Sequence, residues 1–290
     1  MKKQQNKDLK SFKPLTPSLR QRIQVNYSEF LRNNSKFKKL TKGKIKTGGR
    51  NNFGRLTAFK KGQGHKKSYR FLSSYDLKNI LPFLTVNSIE YDPFRTAFIN
   101  CCFFYEGGFF QYTLSAQNTK QGSILGSNYY FSLPNAGSPC TIKYAKVGDF
   151  IYNINLNAAY RYYIASAAGT FCKIMKKDRK TICSRLVLPS GNLYSISFPS
   201  LGFLGKASNY SHRFITISKA GRNRWLGKRP TVRGVAMNPV DHVHGGGEGK
   251  SSGGRPSSTP WGFYTKGKKT RKKKEMPYFI RQYKQRKKKK

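Results

Sequence analysis

Between about residues 70 and 200, apolar and aromatic residues come in short runs separated by turn-forming residues. These runs have the length of β-strands, are rich in Ile, Val, Phe, Tyr and Thr, and are bounded by Gly, Asn, Asp and Pro. The pattern predicts a mainly β fold, a barrel or a sandwich, and no helical period of useful length interrupts it. The predicted strands lie in NSIEYD (87–92), TAFINCCFFY (96–105), FFQYTLSA (109–116), VGDFIYNINL (147–156), TFCKIM (170–175) and SRLVLP (184–189).

This β-rich region has room for two small barrels, and a turn-rich stretch at 121–140 is the predicted break between them. The flanks are different. Residues 1–40 are polar without periodicity, which predicts an extended segment that becomes ordered on binding. Residues 41–70 are basic and punctuated by glycine. After residue 200 the chain is again polar, glycine-rich and short of apolar residues, which predicts an extended path held by a partner.

Charge sharpens this division. The 290-residue chain carries 57 Lys and Arg against 11 Asp and Glu, a formal net charge of +46. Residues 1–70 hold 21 basic and two acidic side chains, 71–200 hold 12 and six, and 201–290 hold 24 and three. A chain this basic repels itself unless a polyanion neutralises it. Residues 71–200 have a charge balance close to that of a typical globular protein. The two strongly cationic flanks around this region indicate a protein embedded in the polyanion.

Membrane and disulfide chemistry do not fit the sequence. No apolar run reaches the roughly 18–20 residues that a membrane helix needs, and the basic stretches are rich in Gly, Pro and Ser rather than amphipathic, so no membrane partner is expected. The five cysteines are odd in number and lack CxxC spacing, which argues against a disulfide framework and a zinc site and favours a reducing compartment.

The stretch MNPVDHVHGGGEGK (237–250) is the strongest candidate for chemistry. A nuclease or transferase could use His242 and His244 with Asp241 or Glu248, either around a metal or with His242 as a general base oriented by Asp241. No GxSxG nucleophile motif accompanies them. Within so cationic a flank, we favour histidines that contact phosphate, ribose or their own loop, with the glycines allowing close approach to RNA. A nucleic-acid chaperone or architectural protein is a third hypothesis.

Two other motifs indicate nucleic-acid contact rather than nucleotide binding. GGRNNFGR (48–55) and GQGHK (62–66) are glycine-rich and basic but lack GxxxxGK[ST]. GRNRWLGKRP (221–230) interleaves Arg with Trp225, which either stacks on a base or anchors the segment to its own barrel. The dense aromatic residues of 98–112 are interpreted as core rather than as a base-stacking platform.

The blocks GKRPTVRGVAMNPVDHVHGGGEG (227–249) and TPWGFYTKGKKTR (259–271) resemble the carboxy-terminal signature of ribosomal large-subunit protein two, the universal L-two family of bacterial type. GGRNNFGR (48–55) and GHKKSYR (64–70) are similar to its amino-terminal block. SIEYDPFRTAFI (88–99), VGDFIYNI (147–154) and SAAGTF (166–171) are similar to its middle. In order and spacing the resemblance covers about 41–280.

The resemblance implies an oligonucleotide-binding (OB) fold barrel followed by an SH3-like barrel, with long extended basic N- and C-terminal segments. The corresponding segments are 1–40, a basic N-terminal extension; 41–125, the RNA-binding OB-fold domain with a basic entry segment; 126–205, the SH3-like barrel; and 206–290, the Gly-rich rRNA-binding extension. It implies a non-enzymatic, primary rRNA-binding protein of the large subunit. Such a protein lies near the peptidyl transferase region and supports subunit association.

The implied partners are large-subunit rRNA, neighbouring ribosomal proteins and the small subunit through an intersubunit contact. No cofactor is implied apart from Mg²⁺ shared with the rRNA. In the family, the histidine after Pro-Val-Asp has been linked to peptidyl transfer, and that position is His242 here. Because the catalyst of the ribosome is RNA, His242 is expected to support rRNA geometry, so no catalytic residue is predicted.

The sequence departs from the family pattern in two places. Gln63 replaces a glycine of the usual GGGHK, which puts the backbone contacts of that turn in question. A usually glycine-rich stretch reads NLNAAYRYYIA (155–165). These departures favour an organelle ribosome, as does an aromatic-rich composition typical of proteins that are encoded by AT-rich organelle genomes. A mitochondrion is expected first, with a plastid or the bacterial cytoplasm as alternatives.

The predicted RNA-binding residues combine cations, close-approach glycines and polar or aromatic side chains. They are Gly48, Gly49, Arg50, Asn51, Asn52, Arg55, His65, Lys66, Arg70, Arg222, Arg224, Trp225, Lys228, Arg229, Arg233, Asn238, His242, His244, Gly245, Gly246, Gly247, Lys250, Lys266, Lys268, Lys269 and Arg271.

Overall fold

A computed structural model of the chain describes residues 8–31, 37–73, 83–126, 135–155, 163–251 and 253–267. Its helical elements are α1 (Tyr27–Phe30), α2 (Ala220–Trp225) and 3-10 turns at Lys38–Leu40, Tyr210–Phe214 and Gly234–Ala236. The strands are β1 (Leu9–Ser11), β2 (Ile23–Val25), β3 (Thr41–Gly43), β4 (Ser68–Arg70), β5 (Phe83–Glu90), β6 (Ile99–Phe104), β7 (Phe109–Leu114), β8 (Ile124–Gly126), β9 (Pro139–Thr141), β10 (Phe150–Tyr152), β11 (Ile154–Asn155), β12 (Tyr163–Ile164), β13 (Cys172–Asp178), β14 (Cys183–Val187), β15 (Leu193–Ser197) and β16 (Leu201–Leu204).

The first barrel is built on an antiparallel sheet of order β7-β6-β5-β8. Strand β5 alternates between buried and more exposed positions, so Leu84 and Val86 point into the core with Ile99, Tyr112 and Leu114. A bulge between Val86 and Ser88 shifts the register of β5 against β6, which increases the local twist that a small barrel needs. The strands predicted in the three runs between 87 and 116 are thereby confirmed.

The second barrel is an antiparallel six-stranded sheet of order β15-β14-β13-β10-β16-β9. Its core contains Ile142, Ile151, Ile174, Leu186 and Ile196. All four residues of β16 are buried, because this strand is hydrogen-bonded on both sides, by β10 and β9. The predicted order, an OB-fold barrel followed by an SH3-like barrel, is confirmed.

Cysteines and aromatic residues serve these cores. Cys101, Cys102, Cys140 and Cys172 are buried and free, and burial raises the pKa of each of these thiols to about 12. They are therefore small apolar side chains at neutral pH. In the aromatic stretch 98–112, Phe98, Phe104 and Tyr112 are buried as predicted, whereas Tyr105 and Phe109 at the β6–β7 turn are exposed.

The N-terminal segment differs from the predicted extended tail. Its described part forms a hairpin of β1 and β2 in which Leu9 pairs with Val25, and Val25 is 3% exposed. The hairpin bonds to a later segment, through Thr216 N–H to the Ile23 carbonyl at 3.1 Å and the Ser211 hydroxyl to Asp8 at 3.0 Å. The sequence lacks a local signal for this hairpin because its partners lie about 200 residues away along the chain.

The C-terminal segment predicted to begin at 206 also divides differently. Ala207 is fully buried in the core of the first barrel and pairs with Ala116 in an isolated bridge. By its contacts the chain separates into two compact units. The barrel unit contains the described residues of 8–45 and 66–219. The basic unit joins Lys46–His65 to the described chain from Ala220 to 267.

The predicted break at 121–140 lies partly outside the described residues. So does most of the divergent stretch 155–165. Within the described part of the chain, no helix is both long and apolar enough to cross a membrane.

Candidate nucleic-acid interface

Two stretches that are far apart in the sequence meet inside the basic unit through backbone hydrogen bonds. Lys61 and Lys228 form an antiparallel bridge. On one side of it, the Gly62 N–H donates to the Gly227 carbonyl at 2.8 Å and the His65 N–H donates to the Trp225 carbonyl at 2.9 Å. The structure thus joins the motif at 48–66 to the motif at 221–230, which the sequence had presented separately.

These stretches enclose a cleft of about 560 Å³, here called the basic cleft. Its lining contains four cations, a histidine, a tryptophan and no carboxylate. The lining residues are Gly48, Arg50, Gly62, Gln63, Gly64, His65, Arg224, Trp225, Lys228 and Arg229. Such a lining attracts anions because no negative side chain within it neutralises the guanidinium and ammonium groups.

Glycine is required where the two stretches approach each other. Gly64 has φ +60°, and a Cβ there would stand 2.6 Å from both the Gly227 nitrogen and the Trp225 carbonyl oxygen. Gly49 has φ +86°, and a Cβ there would stand 2.5 Å from the Ala58 carbonyl oxygen. A side chain at either position would collide with backbone rather than with a movable side chain.

Gln63, the departure from the family pattern, adapts to this arrangement. Its backbone is not in the left-handed region, so this turn position does not require glycine. Its side chain lies beside Gly48, where a Cβ would meet Gln63 Cγ at 3.1 Å. Gln63 therefore adds an amide to the cleft, while the bonds of Gly62 and His65 to the second stretch remain in place.

The aromatic and cationic side chains of the cleft are open to solvent. Trp225 is 56% exposed, and Arg50, Arg224, Lys228 and Arg229 are also exposed. Guanidinium groups can form paired hydrogen bonds to a phosphate, and an exposed indole offers a face on which an unpaired base can stack. The arrangement therefore suits a single-stranded or distorted nucleic acid.

The loop at 50–56 shapes one edge of the cleft. Arg50 and Leu56 form an antiparallel bridge. Inside the loop, the Asn51 side-chain oxygen accepts from the Phe53 N–H at 3.1 Å and the Arg55 N–H at 2.9 Å. Asn51 was predicted to contact RNA, yet this oxygen is used in its own turn. Asn52 and Arg55 are exposed at the loop.

The second predicted site, around 237–250, folds into a loop of its own. The His242 and His244 rings stack with centroids 5.1 Å apart, and His242 is only 8% exposed. The Gly245 N–H donates to the His242 carbonyl at 2.8 Å, and the Gly246 N–H donates to the Met237 carbonyl at 3.1 Å. Two of the three consecutive glycines therefore serve the packing of this loop, a role that the sequence interpretation did not foresee.

The remaining predicted residues are dispersed. Lys66 and Arg70 belong to the barrel unit. In the basic unit, Arg222 is half-buried on α2, Gly247 follows the histidines, and the exposed side chains are Arg233, Asn238, Lys250 and Lys266. Lys268, Lys269 and Arg271 lie outside the described residues.

The sequence indicated that the stretches 62–66 and 221–230 contact nucleic acid, but Gly62, Gln63, Gly64 and Gly227 were not among the predicted RNA-binding residues. Their place in the site depends on the pairing of 62–65 with 225–227, which no local pattern predicts. As for the metal hypothesis, Asp241 and Glu248 are exposed. No group of three or more His, Cys, Asp or Glu side chains placed to hold a metal occurs in the described residues.

Two small β-barrels combined with a cation-lined, glycine-shaped cleft define a class of protein, one that binds nucleic acid. Comparison with known proteins places the chain within that class. Residues 37–127 match the family model "Ribosomal Proteins L2, RNA binding N-terminal domain", and residues 135–262 match "Ribosomal Proteins L2, C-terminal domain".

Curated relatives agree over nearly the whole chain. The chain is 45% identical over 272 residues to "Large ribosomal subunit protein uL2" of Orientia tsutsugamushi (strain Ikeda). It is 44% identical over 276 residues to the protein of that name in Rickettsia bellii (strain OSU 85-389). Both alignments cover 94% of this chain and 97% of the relative. The chain belongs to the ribosomal protein L2 family, and its pattern is of the bacterial type.

Proposed function

We propose that this chain is a structural, rRNA-binding component of the large ribosomal subunit and that the basic cleft is one of its main rRNA contacts. The observation that carries the proposal is the cleft itself. It brings Arg50, Arg224, Lys228 and Arg229 together around Trp225 without a carboxylate. Relatives that are 44–45% identical carry the name of a large-subunit protein, which supports the same assignment.

The cleft acts by replacing the counterions of RNA with fixed protein charges. Each phosphate that meets an Arg or Lys releases condensed cations, so affinity depends steeply on salt. Gly49 and Gly64 allow the backbone to form the narrow cleft. Trp225 stacks on an exposed base, which provides selectivity for the shape of folded RNA rather than for a duplex sequence.

The finer role is part of the same proposal. In keeping with the family resemblance, the protein lies near the peptidyl transferase region, contacts neighbouring ribosomal proteins and supports association with the small subunit. It catalyses no reaction of its own and needs no resident cofactor, although Mg²⁺ can be shared with rRNA phosphates near the exposed Asp241 and Glu248. The aromatic-rich, divergent sequence supports a mitochondrial ribosome as the location, before a plastid or a bacterium.

The assignment is tested by fractionating an organelle or cell lysate on a density gradient in high salt with Mg²⁺. We expect the chain to migrate with large subunits at about one copy each, and the organelle from which those subunits are prepared identifies the compartment. Migration as free protein would contradict the proposal and would favour the chaperone or enzyme hypotheses.

The cleft is tested separately with purified full-length protein and large-subunit rRNA. Arg224→Ala should weaken binding about tenfold, because one charge-assisted contact is lost, and should lower the salt-dependence slope by about one. Arg224→Lys retains the charge but not the forked geometry, so it should restore the slope and only part of the affinity. Unchanged binding in Arg224→Ala would exclude this arginine from the RNA contact.

A further inference from the structure

The two histidines of the 234–258 loop are held by the loop's own backbone. A Cβ on Gly234 would overlap the His242 ring, and a Cβ on Gly253 would stand 2.8 Å from His244 Nδ1. Glycine at both positions therefore allows the chain to close against the imidazoles. Because the rings are packed so closely, their hydrogen-bond partners determine which nitrogen carries the proton.

His244 has a partner on each ring nitrogen. The Ser258 N–H donates to Nε2 at 2.9 Å, so Nε2 has no proton. Nδ1 lies 3.1 Å from the Gly253 carbonyl oxygen, which can only accept, so Nδ1 carries the proton. These partners define a neutral ring with its proton on Nδ1, since a doubly protonated imidazole has no acceptor for Ser258.

His242 has the opposite arrangement. Its Nδ1 accepts from the His244 N–H at 3.0 Å, so Nδ1 has no proton, and a neutral ring must carry its proton on Nε2. Nδ1 thus takes the place that the side-chain oxygen of Asn or Asp occupies in an Asx-turn, accepting from the N–H two residues ahead. The His242 ring is therefore oriented by the His244 backbone rather than by Asp241.

We propose that His242 and His244 are held as opposite neutral tautomers and that His242 therefore presents an Nε2–H donor to an oxygen acceptor of rRNA. The inference rests on the proposed rRNA-binding function. The only nitrogen of His242 that can accept a proton, Nδ1, is already occupied by a backbone N–H. A general base needs a free acceptor nitrogen within reach of the proton it removes, and His242 offers none while this loop is closed.

The acceptor is an oxygen because an N–H donor finds phosphate, ribose hydroxyl or base carbonyl oxygens on RNA. A neutral donor makes a different contribution from a cation. It adds a hydrogen bond without displacing a counterion, so removing it should weaken binding without changing the salt-dependence slope. This separates His242 from arginines such as Arg224.

The tautomers can be measured directly by nitrogen NMR of the full-length chain with ¹⁵N-labelled imidazoles, bound to unlabelled large-subunit rRNA. We expect His244 to be protonated on Nδ1 and His242 on Nε2. Asp241→Asn is the matched control and should leave both tautomers unchanged. Protonation of His242 on Nδ1, or a tautomer change in Asp241→Asn, would overturn the inference.

Substitution tests the donor itself. Asn at 242 can keep the Asx-turn bond to the His244 N–H but has no group at the Nε2 position. His242→Asn should therefore keep the loop protected from protease in the complex, bind rRNA about tenfold more weakly and leave the salt-dependence slope unchanged. His242→Ala should lose both the protection and the affinity.

The outcomes separate the two proposals. Wild-type affinity in His242→Asn would contradict the donor role, and a slope lower by about one would identify a charged imidazolium instead. If the wild-type chain itself failed to bind rRNA, that result would contradict the proposed rRNA-binding function. A chain that binds rRNA but shows the wrong tautomers would overturn only the present inference.

Discussion

The barrel unit and the basic unit are held together by different forces. Every buried apolar side chain in the described residues belongs to the barrel unit, and most of them lie in two clusters that include Leu84 and Ile174. The basic unit has no such cluster among its described residues. It is shaped instead by close backbone contacts at Gly64 and by the hydrogen bonds of His244. The contrast teaches that a segment can have a defined path without a core when a partner supplies the missing stabilisation.

Charge follows the same division. Lys46–His65 and residues 220–267 hold 13 basic and two acidic side chains. Repulsion among these cations opposes compaction, and none of the described apolar side chains of this unit is fully buried to offset it. The barrels, in contrast, contain two clusters of buried apolar side chains, whose removal from water stabilises the folded state. We therefore expect perturbations of the polyanion to affect the basic unit and perturbations of the core to affect the barrels.

The largest expected effect is that of salt on rRNA binding. If the chain contacts at least six phosphates, its affinity for large-subunit rRNA should fall about 10³-fold between about 50 and 200 mM salt, because the counterions that binding releases become more concentrated. Filter binding across a salt series measures this effect. An rRNA affinity that does not change with salt would show that apolar contacts dominate binding. It would contradict the claim that the basic unit, unlike the barrel unit, depends on charge.

The next largest effect is expected in the barrel core. Leu84 is fully buried, so Leu84→Ala should reduce the free energy of unfolding by about 3 kcal/mol through lost burial and a residual cavity. Urea unfolding monitored by circular dichroism measures this change. Ile124→Ala is the matched control, because Ile124 is 49% exposed on neighbouring β8 and should cost much less. Equal costs for the two substitutions would contradict the assigned core.

A smaller effect, confined to the basic unit, is expected at the cleft. Gly64→Ala would place a Cβ against the backbone of Trp225 and Gly227 at a φ of +60°, so binding to rRNA should weaken about tenfold while the barrels unfold at the same urea concentration. Gly221→Ala is the control, since a Cβ there meets nothing within 4 Å. A shift in barrel stability with Gly64→Ala would contradict the independence of the units.

The smallest effect concerns the pH dependence of the first barrel. Burial raises the pKa of Glu90 above its ordinary value of 4.5, partly opposed by the hydrogen bond from Tyr112 and the charge of Arg70. A carboxyl with a raised pKa contributes stability below its unfolded pKa, and that stability is lost as pH rises through the folded pKa. Glu90→Gln removes this titration. The free energy of unfolding of the variant should therefore change less with pH above 4.5, between the unfolded and the folded pKa of Glu90. An unchanged pH profile would contradict the shift.

The barrels could be predicted because their signal is local. The runs around Ile99, Tyr112 and Ile174 carry strand length, composition and turn residues within a few positions, and each became a strand. The position of β16 between β10 and β9 had no such signal, because the four residues from Leu201 to Leu204 acquire their role only by pairing with these two strands.

The candidate site could be predicted in part. Arg50, Arg224 and Trp225 were identified from composition and from the family resemblance. That they share one cleft could not be read from the sequence, because the bridge between Lys61 and Lys228 spans more than 160 residues. The histidines were found as a motif. The tautomer of His244 depends on the Ser258 N–H and the Gly253 carbonyl, which no local pattern places beside it. The tautomer of His242 depends on the His244 N–H, two residues ahead in the chain.

Hydrogen exchange of the full-length chain, free and bound to large-subunit rRNA, tests the central claim most directly, because it reports the stability of each segment separately. We predict that the amides of β5, β6, β13 and β14 are protected in both states, whereas those of 220–267 become protected only with rRNA. Strong protection of 220–267 in the free protein would contradict the claim that RNA holds this unit together.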